Sequence, residues 1–353
     1  MFRGLVCFQI VVAHCYIGGM FSALDEYFGP TVTWAVGNLR FGYESFFVVA
    51  GYFLAHSFRS AGGGFLSLPA FLRRRLVRIA IPYWVALAIG ILGAQLIGAL
   101  RHREYPFPGV GELVSLLLFV HDLAGTKLLS ISHWFMAPLL QFYLLWGCAF
   151  WAVRRWYLRR QDLGYHNHTV RVMIGLTGAV MIVSLGCVAA DFHPRWRLAD
   201  NAVFLALGCF VFWQTAGRRV NWPLGLTVAA VAAVGMIEGG SRLIAAVVTT
   251  LVLPRIAAGP APPNWMVLRP LLIIGRWSYS IYLIHTFVTY RVLNLPDVLG
   301  LPVTPGVAIA TTAVAVVAGI GSGAILYRLV ERPIAALARE VRYRGSEPSP
   351  GGA

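Results

Sequence analysis

The sequence is poor in charge. Of 353 residues only 12% are Asp, Glu, Lys or Arg, about half the share found in a soluble globular domain. So little polar surface cannot clothe a water-facing fold, and a hydrophobic content of 58% with a mean hydropathy of +0.70 agrees. Acids are scarcer still, 14 against 29 basic residues, and none sits at mid-span, where an ion-coupled transporter would hold one. Every basic residue except Lys127 is an arginine. The five cysteines (Cys7, Cys15, Cys148, Cys187, Cys209) lie in apolar stretches without C-x-x-C spacing. That excludes a disulfide scaffold and reads as small buried hydrophobes. No internal repeat is visible. "AGGGF" at 61–65 lacks the Lys-Ser/Thr of a phosphate loop. His166 and His168 have no Cys companion nearby, so no metal site is expected.

What the chain does have is long apolar runs, each sufficient to cross a bilayer. They fall near 4–22, 41–58, 79–98, 133–153, 172–190, 202–217, 222–237, 243–258, 271–290 and 305–327. Continuous rather than alternating hydrophobicity excludes a barrel. The expected fold is all-α, a polytopic transmembrane bundle of about ten helices. Residues 1–335 form one membrane-embedded domain and 336–353 a polar, disordered cytoplasmic tail. The shorter stretch at 112–123 reads as a re-entrant or interfacial piece. The first run, with no small-x-small cleavage site behind it, reads as a retained helix. Most arginines, among them Arg3, Arg73, Arg74, Arg75, Arg78, Arg154, Arg155 and Arg328, fall in loops on one side of this arrangement. The positive-inside rule puts that side, and both termini, in the cytoplasm. A net charge of +15 then serves topology and attraction to anionic lipid rather than nucleic acid. The arginine and alanine bias points to a bacterial inner membrane.

A titratable group inside a span is costly and therefore a candidate for function. "RGLVCFQIVVAH" sets Arg3 and His14 eleven residues apart. Eleven steps of about 100° end roughly 20° past three full turns, so both project from one helix face, ~16 Å apart along the axis. Glu44, in "YESFFVVAGYFL", would reach the depth of His14 if the first two helices pack antiparallel. There it would fix the imidazole's tautomer, or else it faces headgroups as an interfacial acid. In "RRRLVRIAIPYW", Arg74, Arg75 and Arg78 enter the third span; guanidinium forks match phosphate oxygens, although a topological anchor needs the same residues. His133 and Trp134 open the fourth long span. Ser278, Tyr282 and His285 recur at i, i+4 and i+7, a polar stripe that suits a bundle interior and not lipid.

Taken in order, these blocks resemble the acyltransferase-3 family of integral membrane acyltransferases, typified by bacterial O-antigen acetylases. "RGLVCFQIVVAH" is similar to its Arg-x10-His opening, and "YESFFVVAGYFL" to its acid-x-Phe-Phe block. "RRRLVRIAIPYW" resembles its Arg-x-x-Arg followed by Pro-Tyr-Trp. "HWFMAPLLQFYLLW", "GRWSYSIYLIHTFV" and the closing "ERP" at 331–333 have counterparts too. The likeness runs over nearly the whole chain. It implies transfer of an acyl group, usually acetyl from cytoplasmic acetyl-CoA, to a hydroxyl of a glycan or other acceptor, with no tightly bound cofactor. It implies His14 as the catalytic base with Arg3 as its essential partner, and Arg75 and Arg78 as ligands of the CoA phosphates. Arg74 and Tyr83 belong to the same block, and Glu44 is the candidate third member of the catalytic group. His133, Trp134, Ser278, Tyr282 and His285 are the candidate substrate contacts. Two positions depart from the pattern. Ala50 replaces the serine before glycine, so a hydroxyl there is not required, and Leu139-Leu140 replaces the acid pair before Gln-Phe-Tyr, so that pair cannot be an acid/base dyad here. The competing class is a secondary transporter or channel with buried His and Arg along its path, but no inverted repeat supports it.

Overall fold

The computed structural model describes residues 1–16, 42–59, 68–100, 107–160, 165–190, 196–216, 241–258 and 268–340, with isolated residues between them. These residues are mostly helical, without strands among them. In chain order the helices are α1 (Phe2–Cys15), α2 (Gly42–Arg59), α3 (Leu68–Leu100), α4 (Val110–Leu117), α5 (His121–Ala124), α6 (Met136–Arg159), α7 (Tyr165–Ala189), α8 (Leu198–Thr215), α9 (Ser241–Ala258), α10 (Arg269–Leu293), α11 (Leu295–Val298), α12 (Pro305–Leu326) and α13 (Arg332–Glu340).

The expectation of about ten helices therefore meets thirteen among the described residues. The extra ones are short: α4, α5 and α11 occupy connections, and α13 continues α12 through a π-helical turn at Tyr327–Glu331. Among the described residues six stretches are long and apolar enough to cross a membrane: Leu68–Leu100, Ile131–Arg159, Asn167–Ala189, Leu198–Thr215, Arg269–Leu293 and Pro305–Ala338. Residues 2–15 and 243–256 form shorter apolar helices. The run expected at 222–237 lies almost wholly outside the described residues, as does the end of the first run beyond Tyr16. The stretch 112–123 is broken into α4 and α5, with Phe119 at φ 59° between them. Residues 336–340, expected to open an unstructured tail, instead complete α13, while 341–353 fall outside the described residues.

Helix α8 lies at the centre: from Leu198 to Trp213 nearly every residue is buried. A helix apolar all round belongs in such a place. It packs against α2, α7, α6 and α9, while α10 packs on α1 and α12. Small residues set how closely the helices approach, as they do wherever lipid removes the hydrophobic drive to associate. A Cβ on Gly51 would fall 1.9 Å from the carbonyl oxygen of Leu205, and one on Gly208 would fall 1.9 Å from that of Val48. Backbone meets backbone there.

Helix α3 is 33 residues long, about 50 Å at the α-helical rise and well beyond the ~30 Å hydrocarbon core. Its first turns, carrying Arg73, Arg74, Arg75 and Arg78, therefore emerge at one membrane face. Pro82 sits within it, tolerated where neighbouring helices surround the freed carbonyl.

Candidate functional site

The site is built on α10, with α1 lying alongside it in the same direction. A Cβ on Gly4 would meet the carbonyl oxygen of Leu271 at 1.8 Å, and Gly275 faces Gly4 in return. This contact fixes the depth of α1. Seven residues further along α10 from Leu271, the Ser278 Oγ accepts a hydrogen bond from Arg3 Nη2 at 2.9 Å. The Cys7 thiol points to the Ser278 carbonyl. At the other end of α1, His14 Nδ1 lies 3.0 Å from the Ile10 carbonyl oxygen and 3.1 Å from Nε2 of His285. Arg3 and His14 thus share one face and meet one helix, as their eleven-residue spacing requires.

His285 is fully buried. Its Nδ1 donates to the carbonyl oxygens of Ile281 at 2.9 Å and Tyr282 at 3.1 Å. Behind it stands Gly319 of α12, where a Cβ would come 3.4 Å from His285 Cβ and 2.8 Å from Thr289 Cγ2. The Tyr282 ring fills the space between His285 (centroids 6.1 Å), Phe135 (5.2 Å) and Phe46 (6.2 Å). Glu44 is fully buried on α2, within electrostatic reach of Tyr282. The side chain at His14 Nδ1 is therefore His285, whereas Glu44 had been the expected partner. His285 had been expected as a substrate contact. Nothing in the spacing of α1 reveals this pairing, because the two imidazoles are 271 residues apart.

The basic mouth gathers below. Arg75 lies over the Tyr143 ring at 4.9 Å and reaches the Ser57 Oγ at 3.3 Å, while Arg73 and Arg78 are exposed. Cation–π contact and a hydroxyl hold the Arg75 fork in place without neutralising it. Arg74 is partly buried. Glu331, which sequence reasoning passed over, is delivered inward by the π-helical turn; its carboxylate accepts from Ser280 Oγ at 2.6 Å. It lies within electrostatic range of both Arg3 and Arg78. The only signal for it was its place in "ERP".

Tyr83, expected with the arginines, is a turn and a half further along α3. It is fully buried, against Phe119 at 4.7 Å and His133 at 5.1 Å. His133 donates through Nε2 to the Leu283 carbonyl oxygen at 3.1 Å and packs on Phe287. Trp134 is partly buried and stands edge-on to Tyr43 at 4.8 Å. His121, in the short α5 outside the long spans, is buried near His133; burial holds its pKa below the ordinary value, with neighbouring Asp122 opposing. The structure thus brings Arg3, His14, Ser278, Tyr282 and His285 together along α1 and α10. Tyr83 and His133 form an aromatic cluster with Phe119 and Phe287, whereas Trp134 packs apart from them on Tyr43, Phe47 and Phe135. Among the described residues no group of three or more His, Cys, Asp or Glu has the geometry of a metal site.

The bundle thus sets a fully buried imidazole, His285, against a partly exposed one, His14, above a guanidinium-lined mouth. The chain belongs to the acyltransferase-3 family: the family model, described as an acyltransferase domain, matches residues 1–321. No curated protein and no solved structure matches it. It is a membrane acyltransferase.

Proposed function

We propose that the chain moves an acyl group, acetyl in the simplest case, from cytoplasmic acyl-CoA to a hydroxyl of a glycan or other exported acceptor. Arg75 and Arg78, with Arg74 beside them, grip the CoA phosphates, and the flexible pantetheine arm runs along α1 toward the imidazole pair. Arg3, held by Ser278, adds a cation between the mouth and His14. The imidazole of His14 takes the proton of the acceptor hydroxyl as its oxygen attacks the thioester carbonyl. When the tetrahedral intermediate collapses the C–S bond breaks, and the thiolate takes the proton back from the imidazolium, leaving ester and free CoA thiol. The bilayer is a bacterial inner membrane with both termini cytoplasmic, which puts the arginine mouth beside the CoA pool.

The observation that carries this reading is the shared seat of Arg3 and His14 on α10, with a cation at the mouth and an imidazole in the interior. Purified protein in bilayers, given labelled acetyl-CoA and a hydroxyl-rich acceptor, should release CoA thiol and acylate the acceptor. His14→Ala should insert normally and release none; turnover by that variant would defeat the assignment.

A further inference from the structure

We infer that His285 is a positioning residue: it fixes the tautomer of His14, so that Nε2 of His14 is the nitrogen that meets the acceptor hydroxyl. This rests on the reading of His14 as the base.

The argument is a count of donors and acceptors. Carbonyl oxygens only accept. His285 Nδ1 faces two of them, Ile281 at 2.9 Å and Tyr282 at 3.1 Å, so Nδ1 carries the hydrogen. A neutral imidazole has one N–H, and His285 Nε2 is therefore a lone pair. That lone pair lies 3.1 Å from His14 Nδ1, which also faces the Ile10 carbonyl oxygen at 3.0 Å. Two acceptors converge on His14 Nδ1, and the hydrogen must sit there, shared between them. The opposite assignment, with His285 Nε2 donating to His14 Nδ1, sets imidazole lone pairs against all three carbonyl oxygens. Each ring's own helix excludes it.

His14 Nε2 is then a bare lone pair on a partly exposed ring, the form a general base needs. When it takes a proton, the Nδ1–H still points at His285 Nε2 and the Ile10 oxygen, and both stabilise the new cation. The second imidazole thereby does what a carboxylate does in a serine-hydrolase triad, without burying an anion between two membrane helices. Its own helix holds the ring, through the two carbonyl oxygens that accept from Nδ1.

The test is solid-state NMR on the full chain in bilayers, with ¹⁵N-labelled histidine and His14→Gln to assign the signals. The expected result is His14 with a protonated Nδ1 and a bare Nε2, and a scalar coupling across the hydrogen bond between His14 Nδ1 and His285 Nε2. A His14 protonated at Nε2, or no coupling between the rings, overturns the proposal. In His285→Leu the fixed tautomer should give way to a mixture, and kcat for CoA release should fall by about 10²-fold at unchanged KM for acetyl-CoA. His285→Gln, whose amide oxygen can accept from Nδ1–H, should recover the tautomer and bring kcat back to within about tenfold of the native chain. Should the Leu variant fail to insert, the coupling in the native chain decides alone. Correct tautomer and coupling with no CoA release from the native chain would sink the acyl-transfer reading and leave the hydrogen-bond pair standing.

Discussion

Substituting Gly4 by alanine adds one methyl group where the structure has no space for it. The new Cβ would lie 1.8 Å from the Leu271 carbonyl oxygen, 2.8 Å from its carbonyl carbon and 3.0 Å from the Gly275 nitrogen. All three are backbone atoms, so no side chain can turn aside. Reaching 3.0 Å, about the closest approach Cβ atoms make, requires α1 to leave α10 by about 1.2 Å. Besides the weak contact of the Cys7 thiol with the Ser278 carbonyl, two hydrogen bonds cross this interface, Arg3 to Ser278 at 2.9 Å and His14 to His285 at 3.1 Å. Both pass out of hydrogen-bonding range after a shift of about half an ångström. Overpacking of this kind costs roughly 1–3 kcal/mol, which a bundle of this size tolerates. A reacting group displaced by about 1 Å loses on the order of 10²-fold in rate. The expected outcome is an inserted, monodisperse protein whose CoA release falls about a hundredfold. Gly175→Ala on α7, where a new Cβ meets nothing within 4 Å, serves as control and should release CoA at the native rate. A native rate in Gly4→Ala would show that the α1–α10 contact does not set the geometry of the reaction.

Three further outcomes follow from the same geometry. Arg75→Gln and Arg78→Gln should each raise KM for acetyl-CoA several-fold with kcat nearly unchanged, and KM should climb with salt in the native chain as phosphate contacts are screened; unchanged donor saturation would remove these arginines from the donor site. Ser278→Ala takes away the hydroxyl that holds Arg3 and should lower kcat by roughly tenfold, about one hydrogen bond to a charged group, as steady-state kinetics will read. Gly208→Val drives a branched side chain into the Val48 carbonyl and should lower the melting temperature in detergent by separating α2 from α8. The donor's KM should stay as it was in whatever protein remains folded.

Much of the fold was legible because hydrocarbon imposes one rule, that backbone groups bond within their own segment. Runs such as 79–98, 271–290 and 305–327 could only be helices, and the helices are there. The spacing of Arg3 and His14 likewise fixed their common face, since helical periodicity is local. The short helices α4, α5 and α11 were not legible, because connections carry no periodic constraint. The partner of His14 was not legible either. Glu44 and His285 were both polar residues on apolar helices, and only the close packing of α1 against α10 at Gly4 and Gly275 selects His285.

The sequence by itself therefore determined that the chain lives in a membrane, that its helices span it, and that a cation and an imidazole share the first of them. These follow from hydropathy and from angles within one helix. Tertiary structure alone decided that α8 is the enclosed centre, that Glu331 turns in beneath Arg3, and that two histidines 271 residues apart meet at 3.1 Å. The physical reason is that inter-helix distances are set by where small residues let backbones touch, and a linear pattern does not say which glycine meets which carbonyl.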